Sequence, residues 1–310
     1  LEVKARRILI VVGPTASGKS ATALWIAQKY TGEIISCDSM QVYRGFDIGT
    51  DKPSPEARKS VPHHLIDLVE PEEQFTAADF ARLAASEAEK IVQRGRLPIV
   101  AGGTGLYHKA LVEGLFPGPG RDRALREKLK QQAEKQGLSS LYRELKDVDP
   151  EYANKVTEKD MVRIIRALEV YHLTGKPISE HFRQTVSPAK NRSFILYQIG
   201  LKLDKSRLYQ RIEERVDRMF AQGIVEEVRG LLARGISAQA PPFRGLGYRQ
   251  VLKYIKGEMP LEEAIRSTKI ETRHYAKRQL TWFKKSAGIV WFEAEDRQAI
   301  DKYLSENLIG

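Results

Sequence analysis

Eight residues, Gly13-Pro14-Thr15-Ala16-Ser17-Gly18-Lys19-Ser20, carry the spacing G-x-x-x-x-G-K-[ST]. Such a loop can curl until its backbone N–H groups converge, and the helix that follows adds partial positive charge at its start. Lys19 brings a mobile full charge, and the Ser20 hydroxyl can hold a Mg²⁺ that bridges two phosphates. The candidate diphosphate cradle is therefore Gly13, Thr15, Ala16, Ser17, Gly18, Lys19 and Ser20, with Ser20 as the metal ligand. The motif specifies a diphosphate group rather than a nucleoside triphosphate, and its plain rival is coincidence in an unrelated turn. Asp38, opening Asp38-Ser39-Met40-Gln41-Val42-Tyr43, stands where a second apolar run stops and suits a general base; a turn-capping carboxylate is the alternative. Thr104, in Gly102-Gly103-Thr104-Gly105, follows a third run, and its hydroxyl can donate to an oxyanion or simply close a turn.

These loops need strands to carry them. Residues 8–12 (Ile-Leu-Ile-Val-Val), 33–38 and 97–101 read as buried strands, with helices expected at 21–30 and 75–94. Alternation of that kind predicts a parallel sheet covered on both faces, of α/β class and resembling the phosphate-loop NTPase core. In open sheets the carboxyl ends of the strands form the ligand crevice, which brings Asp38 and Thr104 toward the phosphate loop. Pro117-Gly118-Pro119-Gly120 punctuates the chain, and residues 121–174 are charged and helical, a mostly helical insertion. Residues 194–199 form another strand candidate able to rejoin the sheet, and helices then fill 205–234 and 261–285. The expected division is a core of 1–116 and 195–310 around an insertion of 117–194.

A chain of 310 residues, 42% hydrophobic and 29% charged, has enough material for about two globular domains of roughly 150 residues and is not disordered. Its apolar runs are all shorter than the ~18 residues of a membrane helix, so no membrane partner is expected. A lone Cys37 excludes an internal disulfide or a cysteine-rich zinc site and suits a cytoplasmic protein. Residues 1–120 hold 14 basic and 14 acidic side chains; residues 121–310 hold 37 and 26, the whole net charge of +11. That asymmetry suits a polyanionic partner, or a solvated basic surface.

Several further signals admit two readings. Arg163 and Arg166 share a helix face and can grip phosphates or pair with Glu169 or Glu158. Phe243-Arg244-Gly245-Leu246-Gly247-Tyr248-Arg249 suits stacking a base and binding a phosphate. Arg266, Lys269, Arg273, Lys277 and Lys284 recur at helical steps as a basic stripe, while Trp282 and Phe283 read as core. Adjacent His63 and His64 point apart in an extended loop and read as structural. The third strand ends in glycines instead of a metal-binding Asp, which disfavours a switch NTPase. A small-molecule or nucleoside kinase and a non-catalytic RNA-binding ATPase remain as rivals.

Together the motifs resemble the bacterial tRNA dimethylallyltransferases, also called tRNA isopentenyltransferases. The resemblance rests on residues 13–20, 38–43, 49–53 (Gly-Thr-Asp-Lys-Pro), 62–67 (Pro-His-His-Leu-Ile-Asp), 102–107, 163–169, 247–249 and 276–283 (Ala-Lys-Arg-Gln-Leu-Thr-Trp-Phe), in family order across nearly the whole chain. It implies transfer of a dimethylallyl group from its diphosphate to the exocyclic amine of the adenosine 3′ of the tRNA anticodon, with Mg²⁺ and release of pyrophosphate. It also implies Asp38 as the base, Thr104 beside the reacting nucleotide and Arg218 on the leaving group, so that catalysis would rest on Asp38, Thr104 and Arg218. The tRNA contacts it implies are Asp38, Ser39, Met40, Gln41, Thr104, Arg126, Arg163, Arg166, Arg244, Gly247, Tyr248, Arg249, Arg273 and Lys277, within a monomer. Thr157-Glu158-Lys159-Asp160, Gly245 and His274 depart from the family pattern, which touches local tRNA contacts and not the chemistry.

Overall fold

The four runs read as strands pair in parallel, and two edge strands join them, in a computed structural model that describes residues 6–116 and 118–309. The strands are β1 (Arg7–Val12), β2 (Gly32–Ser36), β3 (His63–His64), β4 (Leu97–Gly102), β5 (Ile195–Lys202) and β6 (Ile289–Glu293), in spatial order β3-β2-β4-β1-β5-β6. Of the glycine–proline punctuation, Pro117 lies outside the described residues. Residues 8–12 are fully buried, as a central parallel strand with both faces covered requires. On one side Ala23 and Ile26 of the Lys19–Lys29 helix pack with Ile300 and Leu304 of the Arg297–Leu304 helix.

Register is what assembles a site. Val12 of β1 pairs with Gly102 of β4, and Ala101 of β4 with Ser36 of β2. The three strands therefore end level, and their loops emerge side by side. At Gly102 a methyl group would lie 2.1 Å from the Cys37 carbonyl oxygen, so only glycine lets β2 and β4 approach this closely where they end.

The described residues fall into two compact units, one up to Val112 and from Pro188 onward, the other Glu113–Ser187. Residues 188–194 belong with the sheet because Phe194 is buried beneath the Arg6 guanidinium and Arg192 pairs with Glu89 at 2.5 Å. In the second unit the Arg123–Gln136, Leu138–Val148 and Met161–Thr174 helices enclose a core of Leu129, Leu141, Leu145, Ile164 and Leu168.

Within that unit Glu169, fully buried, receives Arg126 at 2.7 and 2.8 Å, Arg166 at 2.6 Å and the Asp122 N–H at 2.9 Å. Burial raises its pKa, but the hydrogen bonds from Arg126 and Arg166 outweigh burial and bring it down to about 2. A carboxylate depressed below its unfolded value of about 4.3 stabilises the fold above that value and loses the contribution as pH falls toward 2. Glu169→Gln is expected to destabilise this unit by about 3 kcal/mol at pH 7, the low end for breaking a buried pair because both guanidinia still reach water. Denaturation followed by circular dichroism at pH 7 and pH 3 checks it: the gap between variant and wild type narrows at the lower pH.

Candidate active site

The phosphate loop runs from β1 into the Lys19–Lys29 helix through Gly18, whose φ of +90° a side chain would strain. No side chain caps this helix, so its first N–H groups remain for an anion. Lys19 Nζ donates to the Pro14 carbonyl at 2.6 Å, folded over the loop. Burial, and after it the nearby Arg215 charge, lower its pKa to about 8. The Ser17 hydroxyl is buried with no partner among the described residues.

Asp38 follows β2. Its Oδ1 accepts from the Met40 N–H at 2.8 Å and, more weakly, the Gln41 N–H at 3.4 Å, so one oxygen shapes the turn and the other remains to take a proton. Thr104, beyond β4, accepts the Ser39 N–H at 3.1 Å and lies 3.4 Å from the Ser39 hydroxyl. Gln41 takes a hydrogen bond from Ser36 at 2.7 Å and donates to the carbonyls of Thr50 and Asp51 at 3.2 Å each, binding the next loop to this one. A cavity of about 380 Å³ opens among these loops, lined by Thr15, Lys19, Ser20, Asp38, Ser39, Met40, Gln41, Arg215, Arg244, Tyr248, Arg249, Tyr275 and Gln279. The phosphate loop and the Asp38 carboxylate thus open on one space. Tyr275 closes a wall of it, its phenol pushed up to about 12 by burial and by the neighbouring Asp38 charge.

Two expectations are corrected. Arg218 is exposed on the Lys205–Ala221 helix, and the guanidinium at the phosphate loop is that of Arg215, which donates to Thr15 Oγ1 at 2.9 Å and lies 3.4 Å from Asp51. Arg215, Val216 and Met219 line the cavity, whereas Arg218, about 60° round the helix from Arg215, is exposed and does not line it. Tyr248 offers no stacking face: it is 1% exposed, packed edge-on against Phe46 at 4.9 Å, with its hydroxyl donating to Glu227 at 2.5 Å. Glu227 also accepts the N–H groups of Asp47 and Ile48 and so anchors the 47–51 loop under the cavity.

The other expected RNA contacts divide. Arg244 and Arg249 are exposed at the cavity, Arg249 paired with Glu271; Gly247 turns at φ +85° and caps the Tyr248–Ile255 helix. Arg273 pairs with Glu213, with its guanidinium 5.1 Å from the Tyr209 ring, and Lys277 is exposed. In the stripe, Arg266 and Lys269 also hold carboxylates, Glu263 and Asp217. In the second unit Arg126 and Arg166 are spent on Glu169, while Arg163 is exposed, 3.4 Å from Asp160. His64 binds Glu33 at 2.6 Å and His63 the Val61 carbonyl at 2.8 Å, in structural roles.

Sequence reasoning passed over Arg215 and Gln279. Both sit on the inward stripe of a helix, Arg215 next to buried Val216 and Gln279 in line with buried Thr272, Ala276 and Phe283, and a long polar residue on a buried stripe was the available signal.

A parallel sheet whose first loop leads into an uncapped helix N-terminus beside Lys19 and whose second presents a carboxylate into the same cavity defines a phosphate-loop enzyme of the group-transfer class. The family model for IPP transferase matches residues 41–286, and the chain belongs to that family. It is 49% identical over 292 residues to the tRNA dimethylallyltransferase of Geobacter metallireducens, covering 94% of each chain. The crystal structure of the tRNA isopentenylpyrophosphate transferase of Bacillus halodurans superposes with a TM-score of 0.71 at 39% identity, over 98% of this chain and 96% of that one. A eukaryotic dimethylallyltransferase acting on tRNA gives 0.75 at 29% identity, over 98% and 77%. Among the described residues no helix is long and apolar enough to cross a membrane.

Proposed function

We infer that this chain transfers the dimethylallyl group of dimethylallyl diphosphate to the exocyclic N6 amine of the adenosine 3′ of a tRNA anticodon, releasing pyrophosphate. The observation that carries the reading is the shared cavity, which Asp38 lines together with Thr15, Lys19, Ser20 and Arg215. An adenine amine is a weak nucleophile because its lone pair is delocalised, so a base must take its proton as the N–C bond forms. Asp38 is that base. The allylic C–O bond breaks with its electron pair going to the diphosphate, whose charge the loop amides, Lys19 and Arg215 receive. Thr104 holds the Ser39 backbone so that Asp38 keeps its place, and its hydroxyl serves the same nucleotide. The base must leave its stack to enter, which is cheapest in an anticodon loop.

Mg²⁺ fits the donor chemistry present. The Ser20 hydroxyl and the Asp38 and Asp51 carboxylates line the cavity as hard oxygen donors. Among the described residues no cluster of three acidic, histidine or cysteine side chains could hold an ion alone, so Ser20 would hold the metal jointly with the substrate's phosphates. When bound, the ion neutralises charge on the departing diphosphate. Arg163, Arg244, Arg249 and Lys277 are the exposed cations of the expected set and the ones best able to meet RNA phosphates. The lone cysteine, buried beside Asp38, suits the reducing cytoplasm.

Intact-mass analysis tests the reading. Protein, Mg²⁺, dimethylallyl diphosphate and an anticodon stem-loop should yield RNA heavier by one C₅H₈ unit, and ATP in place of the diphosphate should yield none. Unmodified RNA with ATP consumed in the presence of a small acceptor would return the loop to kinase chemistry.

A further inference from the structure

Gln279 lies on the buried stripe of the Leu261–Lys284 helix and is 6% exposed. Its Oε1 accepts the Thr15 N–H at 2.8 Å, and its Nε2 donates to the Gly103 carbonyl at 2.8 Å. One contact demands an acceptor and the other a donor at the two ends of one planar group, which an amide alone among natural side chains of this length supplies. Thr15 belongs to the diphosphate cradle. Gly103 precedes Thr104, whose hydroxyl holds the Ser39 N–H beside Asp38. The β1–β4 pairing reaches Val12 and Gly102, and beyond that pair the Gln279 amide carries the connection between the two loops.

We propose that Gln279 is a positioning residue that sets the distance from the leaving diphosphate to the Asp38 base, by locking the phosphate loop to the Gly103 turn. The proposal rests on the transfer reading above. Gly103 bears the complementary mark: a methyl group there would stand 2.3 Å from Gln279 Nε2, while the next neighbours are 3.4 and 3.6 Å away. Its backbone is not left-handed, so the glutamine itself excludes a side chain at this position. Displacing reacting groups by about 1 Å costs on the order of 10²-fold in rate. A slackened site also admits water to the allylic carbon. The C–O bond then breaks toward pyrophosphate, the water oxygen bonds to carbon and its proton passes to Asp38 or solvent, giving dimethylallyl alcohol without modified RNA.

The experiment counts pyrophosphate released per prenyl group gained by an anticodon stem-loop, alongside kcat, KM and thermal stability. Wild type should give a ratio of about 1; if it prenylates no RNA, the transfer reading fails before this proposal is reached. Gln279→Met should lower kcat by about 10²-fold, leave KM for both substrates within about threefold, and raise the ratio. Gly103→Ala should reproduce the defect with Gln279 still present. In a Gly103→Ala/Gln279→Ser double variant the methyl has room, so its added penalty should shrink at least about tenfold from that in the wild-type background. The double-variant comparison stands even if Gln279→Met fails to fold. A Gln279→Met enzyme with unchanged ratio and kcat, or strictly additive effects at 103 and 279, would overturn the proposal.

Discussion

Asp38→Asn is expected to lower turnover by roughly 10²–10⁴, the usual consequence of losing a general base, with tRNA affinity held to within about threefold. Asparagine is the informative replacement because its side-chain oxygen can still accept the Met40 N–H, the contact that Oδ1 makes at 2.8 Å. The 38–41 turn, and with it the Thr104–Ser39 contact at 3.1 Å, should therefore persist. What disappears is the oxygen that takes a proton. The assay belongs at pH 7: Asp38 is one of the charges that hold the Lys19 pKa up, and Lys19 already stands at about 8. Losing Asp38 lowers Lys19 further, so at higher pH a weakened diphosphate grip would mix with the chemical defect. Single-turnover prenylation with saturating diphosphate separates them. A variant within about tenfold of wild type under those conditions would remove Asp38 as the base.

The sheet was legible where hydrophobic runs were long. Residues 8–12, 33–38, 97–101 and 194–199 each mark a strand, because a central parallel strand must be apolar on both faces. β3 was not legible: it is two histidines long, and His63 and His64 form a strand only because Ile34 and Ile35 offer an open edge. β6, Ile-Val-Trp-Phe-Glu, follows the long Leu261–Lys284 helix and pairs with β5 over a separation of some ninety residues that no local pattern announces. The phosphate loop, Asp38 and Thr104 were legible as motifs, and it is the level ending of β1, β2 and β4 that turns three motifs into one cavity. Cations were the weak point. Arginine looks the same in sequence whether it lines a cavity, as Arg215 does, or satisfies a buried carboxylate, as Arg126 and Arg166 do. Only the position of Glu169 in three dimensions separates them.

That ambiguity makes the contrast between Arg215 and Arg218 the sharpest test of the leaving-group site. Arg215→Ala is expected to reduce kcat/KM for dimethylallyl diphosphate by about 10²-fold, the scale for removing one preorganised charge from a developing anion. Arg218→Ala, three residues along the same helix and exposed, should change it by less than about twofold. The Arg215 guanidinium donates to Thr15 Oγ1 at 2.9 Å, so its removal also frees a side chain of the cradle itself. One consequence opposes the loss: after burial, Arg215 is the next largest influence lowering the Lys19 pKa, so without it Lys19 is more completely protonated near pH 8. The deficit of Arg215→Ala should therefore be somewhat smaller at pH 8 than pH 7 comparison alone would suggest, while the competitive affinity of pyrophosphate falls at both. A large loss in Arg218→Ala with Arg215→Ala near wild type would reverse the assignment and place the Arg218 side chain, about 60° round the Lys205–Ala221 helix from Arg215, at the leaving diphosphate.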